Sequence, residues 1–364
     1  MFNEYEELVQ LAQLALSGKT QDAQLFVSRL ARRLRKVEPG VADQLDALLA
    51  KLPTRGSGLR SDSATAVPVD LDSRLQLARP EYPVELSADP LWAAAVEQRL
   101  NQVVAERRRE KALAKAGLLP TKTMLFTGEP GVGKSLAARW MANQLDRPLL
   151  TLDLSAVMSS YLGRTGANVR QVLDYAKTLD CVLFLDELDA VAKRRDDDAE
   201  IGELKRLVTV LLQEIDGWPS TGLLLAATNH PDLLDPAVWR RFDVIVEFPM
   251  PSQEQIRQLV ERLLGAHELE AEFLTFVSAA FSARSFSDIE RDILRAKRES
   301  VVSQRSITDV LPMVARESID MLPRAKKKLL AVTLRKTFRL TERDVREWTG
   351  ISRDTLRAAT KKAT

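Results

Sequence analysis

The sequence predicts an α/β fold: a parallel sheet with helices on both faces, followed by a smaller helical subdomain. Short apolar runs alternate with helix-length segments between residues 90 and 250, and they stop after Pro251. Strands that are apolar throughout and separated by helices are typical of a parallel sheet covered on both faces. A glycine-rich loop also separates the first of these strands from the next helix. The predicted strands lie at 123–126, 149–152, 182–185, 223–227 and 244–248.

Length and charge limit the classes of protein that the chain can belong to. A chain of 364 residues exceeds one compact core, so we expect several domains. The net charge is only +2, from 53 basic and 51 acidic residues, so nucleic-acid binding requires a local basic patch. The first residues are acidic and unlike a signal peptide, and no apolar run approaches the ~18 residues of a membrane span. We expect a cytoplasmic protein without membrane insertion.

The single cysteine lies inside the apolar run at 181–185. Cys181 cannot form an internal disulfide, and its surroundings favour a small buried side chain over a nucleophile. One cysteine and two histidines also leave little material for a zinc site.

Composition and periodicity divide the chain into five segments. Leucine stripes at helical spacing predict a helical N-terminal domain, and dense Gly, Ser and Pro then predict a linker. Ser252 and Gln255 form a capping-box pattern that opens the first helix after the sheet. The expected segments are an N-terminal helical domain at 1–52, a linker at 53–89, a large α/β subdomain at 90–250, a small helical subdomain at 251–303 and a C-terminal helical extension at 304–364.

Residues 128–135 read Gly-Glu-Pro-Gly-Val-Gly-Lys-Ser and satisfy the phosphate-loop pattern G-x-x-x-x-G-K-[ST]. In such a loop, backbone N–H groups surround phosphate oxygens at a helix N-terminus, the lysine reaches the β- and γ-phosphates, and the serine hydroxyl holds Mg²⁺. The alternative is a glycine-rich turn without a ligand. The candidate nucleotide-binding residues are Gly128, Glu129, Pro130, Gly131, Val132, Gly133, Lys134, Ser135, Leu136 and Asp186.

Asp186 and Glu187 end the apolar run at 182–185. A carboxylate at a buried strand end is costly unless a cation or donors meet it, which suits Asp186 to orient the shell of Mg²⁺. Glu187 is then placed to activate water for attack on a γ-phosphate. The alternative is an acidic helix N-terminus, stabilised by the helix dipole alone.

Two further patterns follow. Asn229 closes the apolar run at 223–227, where it can place an attacking water if it lies at the sheet edge, although Asn-His-Pro is also a good turn sequence. Arg240 and Arg241 precede the last predicted strand. Phosphoryl transfer gains from an arginine supplied by a neighbouring subunit, whereas the alternative for this pair is a solvated surface.

The segments GEPGVGKS, LFLDELD, ATNHPDLLDPAVWRRFD and YLG together resemble the AAA+ ATPases, specifically the AAA clade proper, over roughly residues 90–303. The Arg-Arg-Phe is similar to that of the katanin, spastin and ESCRT-disassembly branch. The resemblance implies ATP and Mg²⁺ as cofactors, with Lys134 and Ser135 binding both and Asp186 reaching the metal through water. It implies Glu187 as catalytic base, Asn229 as sensor 1, and both arginines as fingers acting on a neighbour's ATP in a homo-oligomeric ring, usually a hexamer.

The resemblance also gives a role to an aromatic residue in a polar stretch. Tyr161, Leu162 and Gly163 resemble the pore loop of protein translocases, in which an exposed ring wedges against an extended polypeptide. The alternative is an apolar contact at a helix cap. The sequence departs from the family pattern at two positions. Arg164 follows the pore motif, and Phe286 takes the place of a usual glycine in the small helical subdomain at 251–303, which this family calls the lid. The adenine-pocket residues remain unassigned.

The two ends of the chain carry weaker resemblances. The N-terminal helices resemble an MIT-type bundle, which docks substrates or adaptors. Residues 338–359 resemble a bacterial helix-turn-helix. Some of its positions match the core and the turn of that motif, and others match its recognition helix. The core and turn positions are Val345, Gly350, Ile351 and Leu356; the recognition positions are Ser352, Arg353, Thr355 and Arg357, with Lys361 and Lys362 near phosphates. Such a unit can also be purely structural.

Three functions are consistent with these patterns. The first is an ATP-driven chaperone or unfoldase that threads protein substrates past Tyr161, with a separate peptidase if degradation follows. The second is a DNA-associated ATPase that uses the C-terminal helix-turn-helix. The third is a binding module whose ATP site only switches assembly, against which a complete set of hydrolysis residues argues.

Overall fold

The computed structural model describes residues 77–86, 88–154, 165–191, 201–265, 270–336 and 341–362, together with 26–27, 30–31, 34–35, 38, 40–45 and 68. The chain divides into two units, Met1–Ala66 and Val67–Thr364. In the first unit, the described residues 40–45 are helical. Most of the helical domain predicted at 1–52 and of the linker predicted at 53–89 lies outside the described residues.

The second unit is built on a sheet of six strands among its described residues, in the order β1-β3-β4-β5-β2-β6. All neighbouring pairs are parallel except β1 with β3, which are antiparallel. The strands are β1 (Arg79–Glu81), β2 (Thr123–Thr127), β3 (Leu149–Asp153), β4 (Val182–Asp186), β5 (Leu223–Thr228) and β6 (Val244–Glu247). The predicted α/β class with a mainly parallel sheet is therefore confirmed, and β1 is an edge strand that the sequence did not indicate.

Helices cover both faces of the sheet. Side chains alternate along each strand, so Met124 and Phe126 of β2 join one apolar core while Leu125 between them joins the other. Both cores are fully buried, which explains why the strands read as continuous apolar runs. The helices around the sheet are α1 (Ala94–Arg108), α2 (Glu110–Lys115), α3 (Lys134–Leu145), α4 (Thr165–Lys177), α5 (Ile201–Asp216) and α6 (Pro236–Trp239), with 3₁₀ turns at Leu188–Val191 and Pro231–Leu233.

Helices alone follow the sheet. They are α7 (Gln253–Leu264), α8 (Ala271–Ala280), α9 (Phe286–Ser303), α10 (Ile307–Ile319), α11 (Arg324–Lys336), α12 (Glu342–Thr349) and α13 (Arg353–Lys362). The predicted capping box is present at the start of α7, where the Gln255 N–H donates to Ser252 Oγ and the Ser252 N–H donates to Gln255 Oε1.

One apolar core runs through all seven of these helices. It contains Ile256 of α7, Phe276 of α8 and Leu356 of α13, all buried. The aromatic rings of Phe276 and Trp348 meet edge to face with their centroids 5.6 Å apart. The predicted lid at 251–303 and the predicted extension at 304–364 therefore share a single core.

Candidate functional site

The strand order brings the predicted site residues together. Strand β5 lies between β4 and β2, and all three are parallel, so their carboxyl ends meet at one edge of the sheet. The phosphate loop follows β2, Asp186 ends β4, and Asn229 follows β5 directly. Ligands of open parallel sheets bind at such an edge, and the crossover connections explain how residues 95 positions apart become neighbours.

Three glycines shape the loop between β2 and α3. Gly128, Gly131 and Gly133 have φ angles of 144°, 79° and 102°, which other residues adopt only with strain. At Gly128, a Cβ atom would also lie 2.4 Å from the carbonyl oxygen of Phe248. No described side chain caps the N-terminus of α3 at Gly133. The free backbone N–H groups there form a site suited to phosphate.

Lys134 is buried, and its ammonium group is held by oxygen atoms of the protein. Its Nζ donates to the carbonyl oxygens of Gly128 and Glu129, at 2.6 and 2.9 Å, and to Asn229 Oδ1 at 2.7 Å. Burial lowers the pKa of Lys134, while the charges of Asp186 and Asp189 oppose that shift. The lysine is thus fixed beside the loop with its charge supported by nearby acids.

Ser135 and Asp186 form a pair of oxygen donors at the start of α3. Ser135 Oγ lies 3.3 Å from Asp186 Oδ2, and the N–H of Glu187 donates to Asp186 Oδ1. Burial raises the pKa of Asp186, against the effect of those two hydrogen bonds. A half-buried carboxylate beside a hydroxyl is a donor set that fits Mg²⁺, because a hard cation offsets the partial desolvation of the charge.

Glu187 occupies a left-handed backbone conformation, with φ of 55°. This region disfavours residues other than glycine, so the turn after β4 holds the residue in a strained position. Glu187 is half-buried and lines the same cavity as Lys134 and Asn229.

Asp189 is a member of the site that the sequence analysis did not single out. Its buried Oδ1 accepts hydrogen bonds from Thr228 Oγ1 and from the Asn229 N–H, both at 3.2 Å. Thr228 Oγ1 in turn accepts from the N–H of His230. Asp189 therefore fixes the backbone that carries Asn229. The only signal in the sequence was a third acid, after Asp186 and Glu187, in the same short stretch.

The phosphate loop, Asp186, Glu187 and Asn229 line a cavity of about 530 Å³. Residues 88–92 form one wall, and the lid contributes Phe286, Ser287 and Glu290. The Ser287 N–H donates to the Gly131 carbonyl, so the lid touches the phosphate loop directly. The Trp92 indole, which packs edge to face on Trp140, lies against Gly133: its Nε1 is 3.3 Å from where a Cβ of Gly133 would be. The volume suits a nucleotide-sized ligand.

The two adjacent arginines have different surroundings. Arg241 forms an ion pair with Asp216 at the end of α5 of its own chain, and its carbonyl oxygen accepts from Thr123 Oγ1. Arg240 is exposed and makes no ion pair or side-chain hydrogen bond with the described part of the chain. Neither arginine is among the described residues that line the cavity.

The predicted pore loop is not described by the structure, whereas the predicted burial of the cysteine is confirmed. Tyr161, Leu162 and Gly163 lie outside the described residues, so their role stays a prediction. Cys181 is buried, as expected, and burial raises its pKa to about 12, which keeps the thiol protonated. Among the helices that the structure describes, none combines the length and the apolar character of a membrane span.

Comparison with known sequences identifies an AAA ATPase domain in this chain. The family described as "ATPase family associated with various cellular activities (AAA)" matches residues 124–250. An uncharacterized AAA family ATPase, y4kL of Sinorhizobium fredii, is 38% identical over 218 residues, which are 60% of this chain and 66% of that protein. A probable 26S proteasome regulatory subunit 10B of Caenorhabditis elegans is 33% identical over 205 residues, 52% of this chain and 50% of that one. The chain thus spans between half and two thirds of these relatives.

Solved structures share the fold. A crystal structure of the FIGL-1 AAA domain has a TM-score of 0.54 and 21% identity, over 72% of this chain and 92% of that one. The same domain in complex with ADP also gives a TM-score of 0.54, at 22% identity, over 68% and 87%.

Proposed function

The chain carries an AAA ATPase domain, and we propose that it is an ATP-hydrolysing ring motor that remodels or unfolds protein substrates by drawing them past Tyr161. The observation that carries this proposal is the convergence of Lys134, Asp186, Glu187 and Asn229 around one cavity beside an uncapped helix N-terminus. A module that only binds nucleotide needs Lys134 and Asp186. Glu187 and Asn229, by contrast, have a use in hydrolysis.

In this proposal Lys134, Glu187 and Asn229 have separate roles in ATP hydrolysis. Lys134 exchanges its protein oxygens for those of the β- and γ-phosphates and offsets the charge that develops there. Glu187 accepts a proton from the attacking water, and Asn229 orients that water. Lys134 is buried, which strengthens its electrostatic effect relative to that of an exposed lysine.

Ser135 and Asp186 are the residues that would hold Mg²⁺. The ion supplies charge neutralisation between the β- and γ-phosphates when it is bound. Ser135 contributes a hydroxyl oxygen, and Asp186 is held in orientation by the Glu187 N–H.

The position of Arg240 supports the proposed ring. This exposed guanidinium lies outside the described lining of its own cavity, and an arginine that completes the site of a neighbouring copy provides the missing positive charge. Head-to-tail contacts of this kind close into rings, and we propose a hexamer. A relative named as a proteasome regulatory subunit supports a protein substrate or adaptor, with a separate peptidase if degradation follows.

The threading role is tested by comparing Tyr161→Ala with Tyr161→Phe. Both variants should keep the basal rate of ATP hydrolysis, because neither changes the nucleotide site. We expect Tyr161→Phe to keep unfolding a fluorescent substrate that bears an unstructured tail, since the aromatic ring remains, and Tyr161→Ala to lose it. Unfolding by Tyr161→Ala at the wild-type rate would refute the pore role.

A second candidate function is a DNA-associated ATPase. The observation that favours it is the geometry of α12 and α13, which are joined by the three residues 350–352. Gly350 ends α12 in a left-handed conformation with φ of 68°, as short helix-turn-helix connections require.

A further inference from the structure

We propose that helices α11–α13 form a binding surface for duplex DNA, on which Arg343, Arg346 and Arg353 contact backbone phosphates. The inference develops the second candidate function and does not depend on threading. It rests on the local charge of this segment, on the exposed arginines that its own acids leave unpaired, and on the shape of the helix that they flank.

Positive charge is concentrated in this segment. Residues 324–362 contain 13 basic and 4 acidic side chains, a formal charge of +9, although the whole chain carries only +2. The remaining residues therefore carry −7. A local excess of this size attracts polyanions even when the molecule as a whole is nearly neutral.

In α12 and α13, apolar side chains pack inward and most charged side chains face solvent. Val345, Ile351 and Leu356 are buried in the core shared with the lid, and Thr349 is buried beside them. The Thr341 hydroxyl caps the start of α12 by accepting from the Asp344 N–H. The apolar contacts thus define one inner face, and the opposite face of α12 and α13 is exposed.

Only some of the described arginines in this region form ion pairs with its acidic side chains. Arg316 pairs with Glu347, and Arg357 pairs with Glu342. Arg343, Arg346 and Arg353 are exposed and make no ion pair or side-chain hydrogen bond with any residue that the structure describes. A guanidinium group suits bidentate binding of phosphate, so three unpaired arginines on one small unit are a chemically matched set for a phosphodiester backbone.

Arg357, which the sequence analysis placed on the recognition helix, is already paired within the chain. Its Nε and Nη2 donate to Glu342 Oε1 and Oε2, at 3.0 and 2.9 Å. This two-pronged pair fixes α13 against the first residue of α12. Arg357 is therefore left out of the proposed phosphate contacts, and Arg353 is the arginine of α13 that we assign to them. Thr355 is half-buried and its hydroxyl pairs with that of Ser352, so it too is a structural member.

The exposed side of α13 carries both charged and small side chains. Ser352, just before α13, and Ala358 on it are exposed and small, while Arg353, Asp354 and Arg357 are exposed on the same helix. The major groove of B-form DNA admits an α-helix, whereas the corresponding groove of A-form RNA is too narrow for side-chain reading. An exposed helix with arginines on it and on its neighbour α12 therefore favours duplex DNA over duplex RNA.

The experiment is a titration of the full chain with a fluorescent duplex of about 20 base pairs, followed by anisotropy at several salt concentrations. Three phosphate contacts predict that affinity falls about 40-fold between roughly 50 and 200 mM salt. The triple variant Arg343→Glu, Arg346→Glu, Arg353→Glu should bind at least about 100-fold more weakly and with a flatter salt dependence.

A matched control makes the same change of charge elsewhere. Arg109, Lys111 and Lys115 are exposed on or beside α2, and their replacement by Glu should leave DNA affinity within a few-fold of wild type. Equal weakening in both triple variants would refute the assigned surface, as would undetectable binding of the duplex by wild type at low salt. Equal affinity for duplex RNA or for heparin would refute duplex DNA as the occupant. Unchanged ATP hydrolysis in both variants confirms that they are folded, and threading is measured separately with polypeptide.

Discussion

Nζ of Lys134 lies 2.7 Å from Oδ1 of Asn229, and this contact joins the loop after β2 to the end of β5. It also accounts for the position of a buried ammonium group, which needs oxygen partners to offset its desolvation. The same two residues are expected to separate once phosphate replaces the amide, so their roles should be distinguishable by mutation.

We predict that Lys134→Ala abolishes ATP binding, whereas Asn229→Ala keeps ATP affinity within about tenfold and lowers turnover by about 10²–10³-fold. The reason is that Lys134 is placed to contact the phosphates in the ground state, while Asn229 acts on the attacking water. Titration with a fluorescent ATP analogue and steady-state hydrolysis measure the two effects. An equal loss of affinity in both variants would show that Asn229 contributes to binding rather than to the reaction.

Glu187→Gln should bind ATP as tightly as wild type and hydrolyse it at least about 100-fold more slowly, because the amide cannot accept the proton of the attacking water. ATP should also stabilise assembled rings of this variant, which size-exclusion chromatography detects. Glu290→Gln, which lines the same cavity from the lid, is the matched control and should retain turnover. Wild-type hydrolysis by Glu187→Gln would overturn the assignment of the base.

Arg240 and Arg241 should differ in their effects. Arg240→Ala is expected to be inactive alone but to regain hydrolysis in mixed rings with Lys134→Ala subunits, since each variant supplies what the other lacks. Arg241→Ala breaks the ion pair with Asp216 and should lower hydrolysis less, in parallel with Asp216→Ala. The mixing experiment is decisive for Arg240: a rate that never exceeds the sum of the two separate variants contradicts a role in trans.

Asp189→Ala should lower turnover in the same way as Asn229→Ala, and it should reduce the free energy of unfolding by about 1–3 kcal/mol, because two donors lose their buried acceptor. Asp189→Asn keeps an oxygen at that position and should recover most of the turnover. Thermal unfolding and the ratio of kcat to KM measure these effects. If Asp189→Ala loses stability but keeps full turnover, the residue does not position Asn229 for the reaction.

The sheet was readable from the sequence because its central strands β2, β4 and β5 are buried on both faces. All five predicted strands begin and end within one residue of those observed, since continuous apolar runs such as 182–185 have clear limits. The capping box at Ser252 was equally local. Strand β1 was missed because its three residues contain an arginine, a proline and a glutamate, and only pairing with β3 makes them a strand.

At the site, sequence motifs gave the residues but not the contacts between them. The glycines and the lysine of the phosphate loop have a fixed spacing, and strand order explains why Asp186 and Asn229 join them. The contact between Lys134 and Asn229, the support from Asp189 and the pairing of Arg357 with Glu342 depend on tertiary packing. No periodicity or spacing along the chain encodes such contacts.

The most direct measurement of the central claim is steady-state ATP hydrolysis by the full chain, titrated separately with an unfolded polypeptide and with duplex DNA. The account predicts that polypeptide stimulates hydrolysis and that Tyr161→Ala abolishes this stimulation while preserving the basal rate. Stimulation by duplex DNA with no response to polypeptide would contradict the threading motor and leave the DNA-associated ATPase as the function.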